Sequence, residues 1–349
     1  MFSLSVCMIV KNEEKVLERI LKQVKSFAEQ IVVVDTGSTD ETKKIAKKYT
    51  NDVFSYVWKD DFSKARNYSF SKAKCDYVMW LDADDFITQE NIEKIKELKQ
   101  NDTDVDVFML KYEMGFDQND KPCFVFYRER ILKRSKNFKW QGFIHEAISP
   151  SGKIEYVDIS IQHRKIKSEP KRNINMFRQA IKNGIKFSPR EQYYYARELY
   201  YNGHYKKAIL NFKKHLNMND PYYANVQGSI LLLCECLLYV GKTQQAKKYI
   251  FKAFEKFNPT SEMCCMAGNI FEKLGGFECS IFWYESALVC GEQKHGFVRE
   301  EFSNFVPFMK LTYLYYKVGD FQKSKKYHEK AKEIRPDNQN VLFNQQFFN

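Results

Sequence analysis

Strand and helix signals alternate through the first 165 residues, and beyond them the strand signals stop while helix signals recur. The two patterns imply different layer architectures, so the chain is expected to fold as an α/β domain followed by an all-α one. A length of 349 residues agrees with two domains, at roughly 100–200 residues each. The opening run Leu4–Val10 is apolar except for Ser5, too short for a helix core and rich in strand formers. It predicts a strand buried on both faces of a parallel sheet. Further strands are predicted over 31–34, 53–57 and 77–81, with helices over 13–26, 42–49, 62–73 and 92–99 between and after them. This alternation implies right-handed crossovers and a doubly wound sheet. Residues 105–112 and 124–132 read as later strands of mixed direction, 138–150 as irregular, and 157–163 as a last strand. Ser38 or Thr39 is the expected cap of the second helix.

In the second half Gly203, Gly241, Gly275 and Gly319 recur at roughly 34–45 residues, the window of helical-pair repeats. Each lies between two amphipathic segments, and Ala208, Ala246, Ser280 or Ser324 follows five positions later. Glycine permits the tight turn, and the small residue permits close helix packing. These units resemble tetratricopeptide repeats; the first and last fit best and the middle two are irregular. An all-helical domain without true repeats is the alternative. The expected division is 1–165, a linker helix over 166–190, and repeats over 191–349.

Composition excludes several classes. The chain is 44% hydrophobic and 16% aromatic, which rules out wholesale disorder. Its +12 formal charge suits an anionic ligand such as a nucleotide diphosphate, or simply a lysine-rich surface. No zinc finger, RNA-binding signature or dense basic arm supports a nucleic-acid role. Nine cysteines without a C-x-x-C pair point to reduced thiols in a cytoplasm rather than a disulfide framework. The N-terminus lacks a basic flank and does not read as a signal peptide, and the longest apolar run, 230–240, is too short to span a bilayer.

The sharpest chemical feature is Asp82-Ala83-Asp84-Asp85 at the end of the strand over 77–81. Ligands of open α/β sheets bind beyond the carboxyl ends of the strands. Neighbouring carboxylates there invite a hard divalent cation, Mg²⁺ or Mn²⁺, which would also neutralise a departing diphosphate. The structural alternative is an acidic helix cap involving Asp85 or Thr88. Asp35, ending another strand, is a candidate for a ribose or base N–H, or an N-cap. Asp60, Asp61 and Arg66 add charge near the same edge, and Arg66 is suited to a phosphate.

The segments 4–14, 32–42, Ala65-Arg66-Asn67 and 81–85 occur in an order and at a spacing that resemble glycosyltransferase family 2, the inverting enzymes of GT-A fold. The resemblance covers about 1–165. With Trp58 to Asn67 and Trp140-Gln-Gly-Phe-Ile-His-Glu146, it looks nearest to the branch of lipooligosaccharide β-1,4-glucosyltransferases and sublancin-type peptide S-glycosyltransferases. The resemblance implies a GT-A, Rossmann-like mixed sheet, a UDP-sugar donor (glucose first) and Mn²⁺ or Mg²⁺. It implies donor contacts from Val10, Asp35, Asp60, Arg66, Asp82, Ala83 and Trp140, and metal contacts from Asp84, Asp82 and His163. Glu146, beside His145, is the first choice for the base, expected to be tuned upward, and Asp85 the second. Trp140 is a candidate platform for the sugar or a buried core residue. The acceptor is expected to be a peptide or protein, through Ser/Thr or Cys, with the repeats holding it or mediating a homodimer. A cell-surface saccharide acceptor and a catalytically dead repeat scaffold are the alternatives.

Overall fold

The computed structural model describes residues 1–101, 103–116, 120–165, 171–220, 222–290 and 299–348. The chain divides into two compact units, Met1–Met176 and Phe177–Asn349. The first five of the expected linker residues, 166–170, lie outside the described residues.

The first unit runs β1 Leu4–Val10, α1 Leu17–Val24, β2 Gln30–Asp35, α2 Thr42–Lys47, β3 Val53–Ser55, α3 Phe62–Phe70, β4 Tyr77–Trp80, β5 Asp85–Phe86, α4 Gln89–Gln100, β6 Val107–Phe116, β7 Pro122–Lys133, β8 Trp140–Gln141, β9 Ala147–Ile148 and β10 Ile154–His163. Eight strands form one sheet in the order β3-β2-β1-β4-β7-β6-β10-β5, and β8 pairs with β9. β3, β2, β1 and β4 are parallel. β7 runs antiparallel to both β4 and β6. The sheet is therefore Rossmann-like on one side and mixed on the other, as a GT-A fold requires.

β1 shows why its run is so apolar on both faces. Leu4, Val6, Met8 and Val10 join the core that α1 and α4 cover, through Leu17, Ile20, Leu21, Ile92 and Ile95. Cys7 points the other way, to Val32, Val34 and Val78. Alternate residues thus meet apolar neighbours on both faces.

Three local expectations change. Helix α1 starts at Leu17 rather than at 13; Glu13 O accepts from Val16 and Leu17 N–H in a turn that leads into it, and the N–H groups of Glu13 and Glu14 donate to Thr42 Oγ1 and Asp40 Oδ2. Neither Ser38 nor Thr39 caps α2, whose N-cap is Glu41. Ser38 Oγ instead accepts from Asn12 N–H, and Thr39 N–H donates to Asn12 Oδ1, clasping the loops after β1 and β2 together. The stretch expected to be irregular contains the short β8–β9 ribbon.

Helix α5, Arg172–Lys182, carries the point where the units divide. The second unit continues with α6 Pro189–Tyr201, α7 Tyr205–Leu216, α8 Tyr223–Tyr239, α9 Thr243–Phe254, α10 Ser261–Lys273, α11 Phe277–Val289, α12 Phe305–Lys317, α13 Phe321–Ile334 and α14 Gln339–Gln345. Gly203, Gly241, Gly275 and Gly319 close the first helix of four successive pairs, with φ from 73° to 83°. The residue after each glycine donates to the carbonyl five positions back: His204 to Leu199, Lys242 to Leu237, Gly276 to Phe271 and Asp320 to Tyr315. That is a Schellman-type stop, and it needs a left-handed residue. Ala208, Ala246, Ser280 and Ser324 are all fully buried. Ser280 and Ser324 spend their hydroxyls on carbonyls of the partner helix, Gly268 and Thr312. The middle pairs, irregular in sequence, share this turn with the outer ones. All nine cysteines are unpaired. Among the described residues no helix is long and apolar enough to cross a membrane.

Candidate active site

The acidic turn is built by β4. Leu81 N–H still donates to Cys7 O, and the chain then leaves the sheet. It folds on itself through Asp85 N–H to Asp82 O, at 3.1 Å, and Asp82 N–H to Asp85 Oδ2, at 3.0 Å. Asp85 and Phe86 then return as β5 against the end of β10, with His163 opposite Asp85. This register places the imidazole on the acidic turn. His163 Nδ1 lies 3.4 Å from both Asp84 Oδ1 and Asp85 Oδ1.

Arg66 organises the other side. Asp61 caps α3 by accepting from Lys64 N–H. One turn further on, Arg66 lies 7% exposed, with Nη2 2.8 Å from Asp82 Oδ1 and Nε 2.6 Å from Glu146 Oε1. Its guanidinium lies over the rings of Trp80 and Trp140, at 5.0 and 4.8 Å. The neighbouring motif residues explain themselves. Ala65 is fully buried, and Asn67 clamps β8 by exchanging hydrogen bonds with Trp140 N–H and O. Phe62 N–H holds Phe143 O, which anchors the loop that carries His145 and Glu146. His145 takes a left-handed backbone, φ 51°.

The electrostatics follow from burial and pairing. Burial opposes the charge on Asp82, but Arg66 and then Arg130 outweigh it, holding this carboxyl well below the usual range. Arg66 is likewise held protonated, because Asp82 and Glu146 outweigh its desolvation. Burial pushes the Asp84 carboxyl up. Burial would lower His163, yet the carboxylates of Asp85 and Asp84 raise it.

The residues that the structure brings together differ in part from those expected. Asp82 was expected at the metal, but its Oδ1 turns to Arg66, and Asp85 takes its place beside Asp84 and His163. The ligand atoms of Asp84, Asp85 and His163 lie within 4.8 Å of one another. His163 Nδ1 is buried without a hydrogen-bond partner. Two carboxylate oxygens and an unsatisfied imidazole nitrogen fit a divalent cation such as Mg²⁺ or Mn²⁺. Asp85 was the second choice for a base. It is 0% exposed and tied to Tyr112, Arg130 and Asp82 N–H, so it has no route to an acceptor. Trp140, 3% exposed and edge-on to Trp80, supports Arg66 from within and offers no face to a sugar.

The remaining donor candidates sit along the ends of the parallel strands. Val10 and Ala83 are buried. Asp35 is buried as well, and its carboxylate accepts from Gly37 and Ser38 N–H, with Lys43 Nζ 3.9 Å away. Asp60 is exposed, with φ 52°, and accepts from Trp58 Nε1. Sequence reasoning missed Arg130 and Tyr112. The available signal was the Arg128-Glu129-Arg130 run inside an otherwise apolar and aromatic strand.

Comparison with known proteins adds an independent line. Residues 5–151 match the family model described as Glycosyl transferase family 2. The SPbeta prophage-derived glycosyltransferase SunS of Bacillus subtilis is 28% identical over 253 residues, covering 66% of this chain and 57% of SunS. The chain thus spans little more than half the length of that relative. A TPR repeat-containing protein of Synechococcus elongatus is 40% identical over 90 residues, 26% of this chain and 22% of that protein. Among solved structures, glucosyl-3-phosphoglycerate synthase from Mycobacterium tuberculosis, in complex with Mg²⁺ and uridine diphosphate, aligns over 32% of this chain and 44% of that one. Its identity is 19% and its TM-score 0.28, a likeness too slight to bear on the site.

Proposed function

We propose that this chain, whose residues 5–151 match the glycosyl transferase family 2 model, transfers a hexose from a UDP-sugar to a peptide or protein side chain with inversion and with help from a divalent cation. The observation that carries the reading is the Asp84–Asp85–His163 cluster at the carboxyl edge of the sheet, whose two aspartates lie inside residues 5–151 that match the family. Asp84, Asp85 and His163 would hold Mn²⁺ or Mg²⁺, which when bound offsets charge on the departing diphosphate. Asp35 and the loops after β1 and β2 border the place for the nucleoside, beyond the parallel strand ends.

Arg66 separates two functions. Nη2 faces Asp82 on the donor side and Nε faces Glu146 on the other. Inversion is a single in-line displacement, with base and leaving group on opposite sides of the reacting carbon. Glu146 is the base in this reading, taking the acceptor proton on its second carboxylate oxygen. A thiol acceptor, with a pKa near 8.5, asks less of that base than a hydroxyl. The resemblance to sublancin-type enzymes and the helical repeats favour a polypeptide acceptor over a saccharide.

The test is to incubate the purified chain with Mn²⁺, UDP-hexoses and candidate peptides, following UDP release and intact peptide mass. The reading expects UDP release and a mass gain of one hexose, both abolished by Asp84→Ala. Absence of UDP release with every sugar, or release that survives Asp84→Ala unchanged, overturns it.

A further inference from the structure

Asp85 is the most buried carboxylate of the cluster, and every contact it makes fixes how it points. Oδ2 accepts from Asp82 N–H at 3.0 Å and from Arg130 Nη1 at 3.2 Å. Oδ1 accepts from the Tyr112 hydroxyl at 2.9 Å. A carboxylate oxygen has about two acceptor sites. Oδ2 is therefore filled, while Oδ1 keeps one site, with His163 Nδ1 at 3.4 Å. The plane of the carboxylate cannot turn without breaking one of these bonds.

Arg130 reaches this position through a fault in the sheet. The β6–β7 register passes from Phe108 opposite Ile131 to Met109 opposite Glu129, so Arg130 is skipped. Such a bulge re-aims a side chain, and bulges gather next to active sites. Arg130 is 0% exposed, its guanidinium 3.6 Å from the Trp80 ring centre and 4.1 Å from that of Tyr112. Nη1 also donates to Trp80 O, but Nε and Nη2 are buried without partners. A buried cation with two unmet nitrogens is unfavourable as packing. Packing alone does not account for it, whereas a demand for a fixed Asp85 does.

We propose that Tyr112 and Arg130 are positioning residues that lock Asp85 so that its free Oδ1 site faces His163 and Asp84, making Asp85 a preset cation ligand. The inference rests on the metal-dependent reading above. Partners that orient a ligating carboxylate typically change metal affinity by about 10–100-fold when removed.

The test uses the full chain and Mn²⁺ as the probe, titrated by electron paramagnetic resonance with and without UDP. Tyr112→Phe removes only the hydroxyl. Tyr77→Phe is the control, since it removes another buried hydroxyl of the sheet, one that donates to Val105 O. Tyr112→Phe is expected to weaken Mn²⁺ binding about tenfold, with an unchanged melting midpoint relative to Tyr77→Phe, and Tyr77→Phe to bind Mn²⁺ like the wild type. Arg130→Met is expected to weaken it further, and if that variant fails to fold, Tyr112→Phe still decides. Wild-type affinity in Tyr112→Phe, or equal losses in Tyr112→Phe and Tyr77→Phe, overturns the proposal while leaving the metal reading intact. Absence of Mn²⁺ binding by the wild-type chain overturns both.

Discussion

Replacing Arg66 by methionine tests whether one buried cation holds the two sides of the site together. The side chains of Arg66, Asp82 and Glu146 are 9%, 28% and 12% exposed. Methionine keeps an apolar stem between Trp80 and Trp140 but removes the hydrogen-bonded ion-pair partner of both Asp82 and Glu146. Breaking a buried pair from one side costs about 3–5 kcal/mol. For a unit of this size, each kcal/mol shifts the melting midpoint by about 2–4 °C, so a fall of about 6–20 °C is expected. The pH dependence has a definite sign. Asp82 is held below its unfolded value, so its pairing stabilises the fold above about pH 3.9 and that stability is lost as the pH falls through the depressed folded value. The gap between wild type and Arg66→Met should be full at pH 7 and narrow towards pH 3. Three of the four tryptophans, Trp58, Trp80 and Trp140, belong to this unit and Trp283 to the other, so the measurement uses tryptophan fluorescence in a Trp283→Phe background. A cycle with Asp82→Asn should give a coupling of about 1–3 kcal/mol. Equal midpoints at pH 7, a gap that does not change with pH, or additive single variants would refute the argument.

Other expectations are more local. Glu146→Gln should lower turnover by about 10²–10⁴-fold while leaving Mn²⁺ and UDP binding within about threefold, as loss of a general base requires; calorimetry and a UDP-release assay separate the two. Gly268→Ala should destabilise the helical unit by about 1–3 kcal/mol, because the new Cβ would stand 2.7 Å from Cε2 of the buried Tyr284. The same change in an open helix stabilises by about 0.5–1 kcal/mol, so a rise in the denaturation midpoint would disprove the close approach. Ser188 and Glu191 form a reciprocal capping box at the start of α6. Ser188→Ala should cost about 0.5–2 kcal/mol, read as faster amide exchange in the first turn of α6.

Runs and periods in the sequence settled whatever depends on near neighbours. The apolar stretch Leu4–Val10 can only be a strand covered on both faces, and the strand ending at Trp80 had to deliver Asp82 to Asp85 at the sheet's carboxyl edge. A glycine followed five residues later by Ala or Ser fixed the helix pairs, because turn geometry and close packing are both set within one pair. Contacts between distant segments had no such local signature. His163 meets Asp85 because β5 returns against β10 in one particular register, and Arg130 enters the core because β7 carries one residue more than its neighbour. The sequence suggested Asp82 beside Asp84 and His163, but the turn aims the Asp82 carboxylate at Arg66 and the Asp85 carboxylate at His163. Trp140 looked equally suited to a sugar or to the core until Asn67 fastened its backbone and Arg66 covered its face. Side-chain direction at a site assembled from several strands, helix α3 and a loop is a property of how they pair and pack, and that exists only in the folded unit.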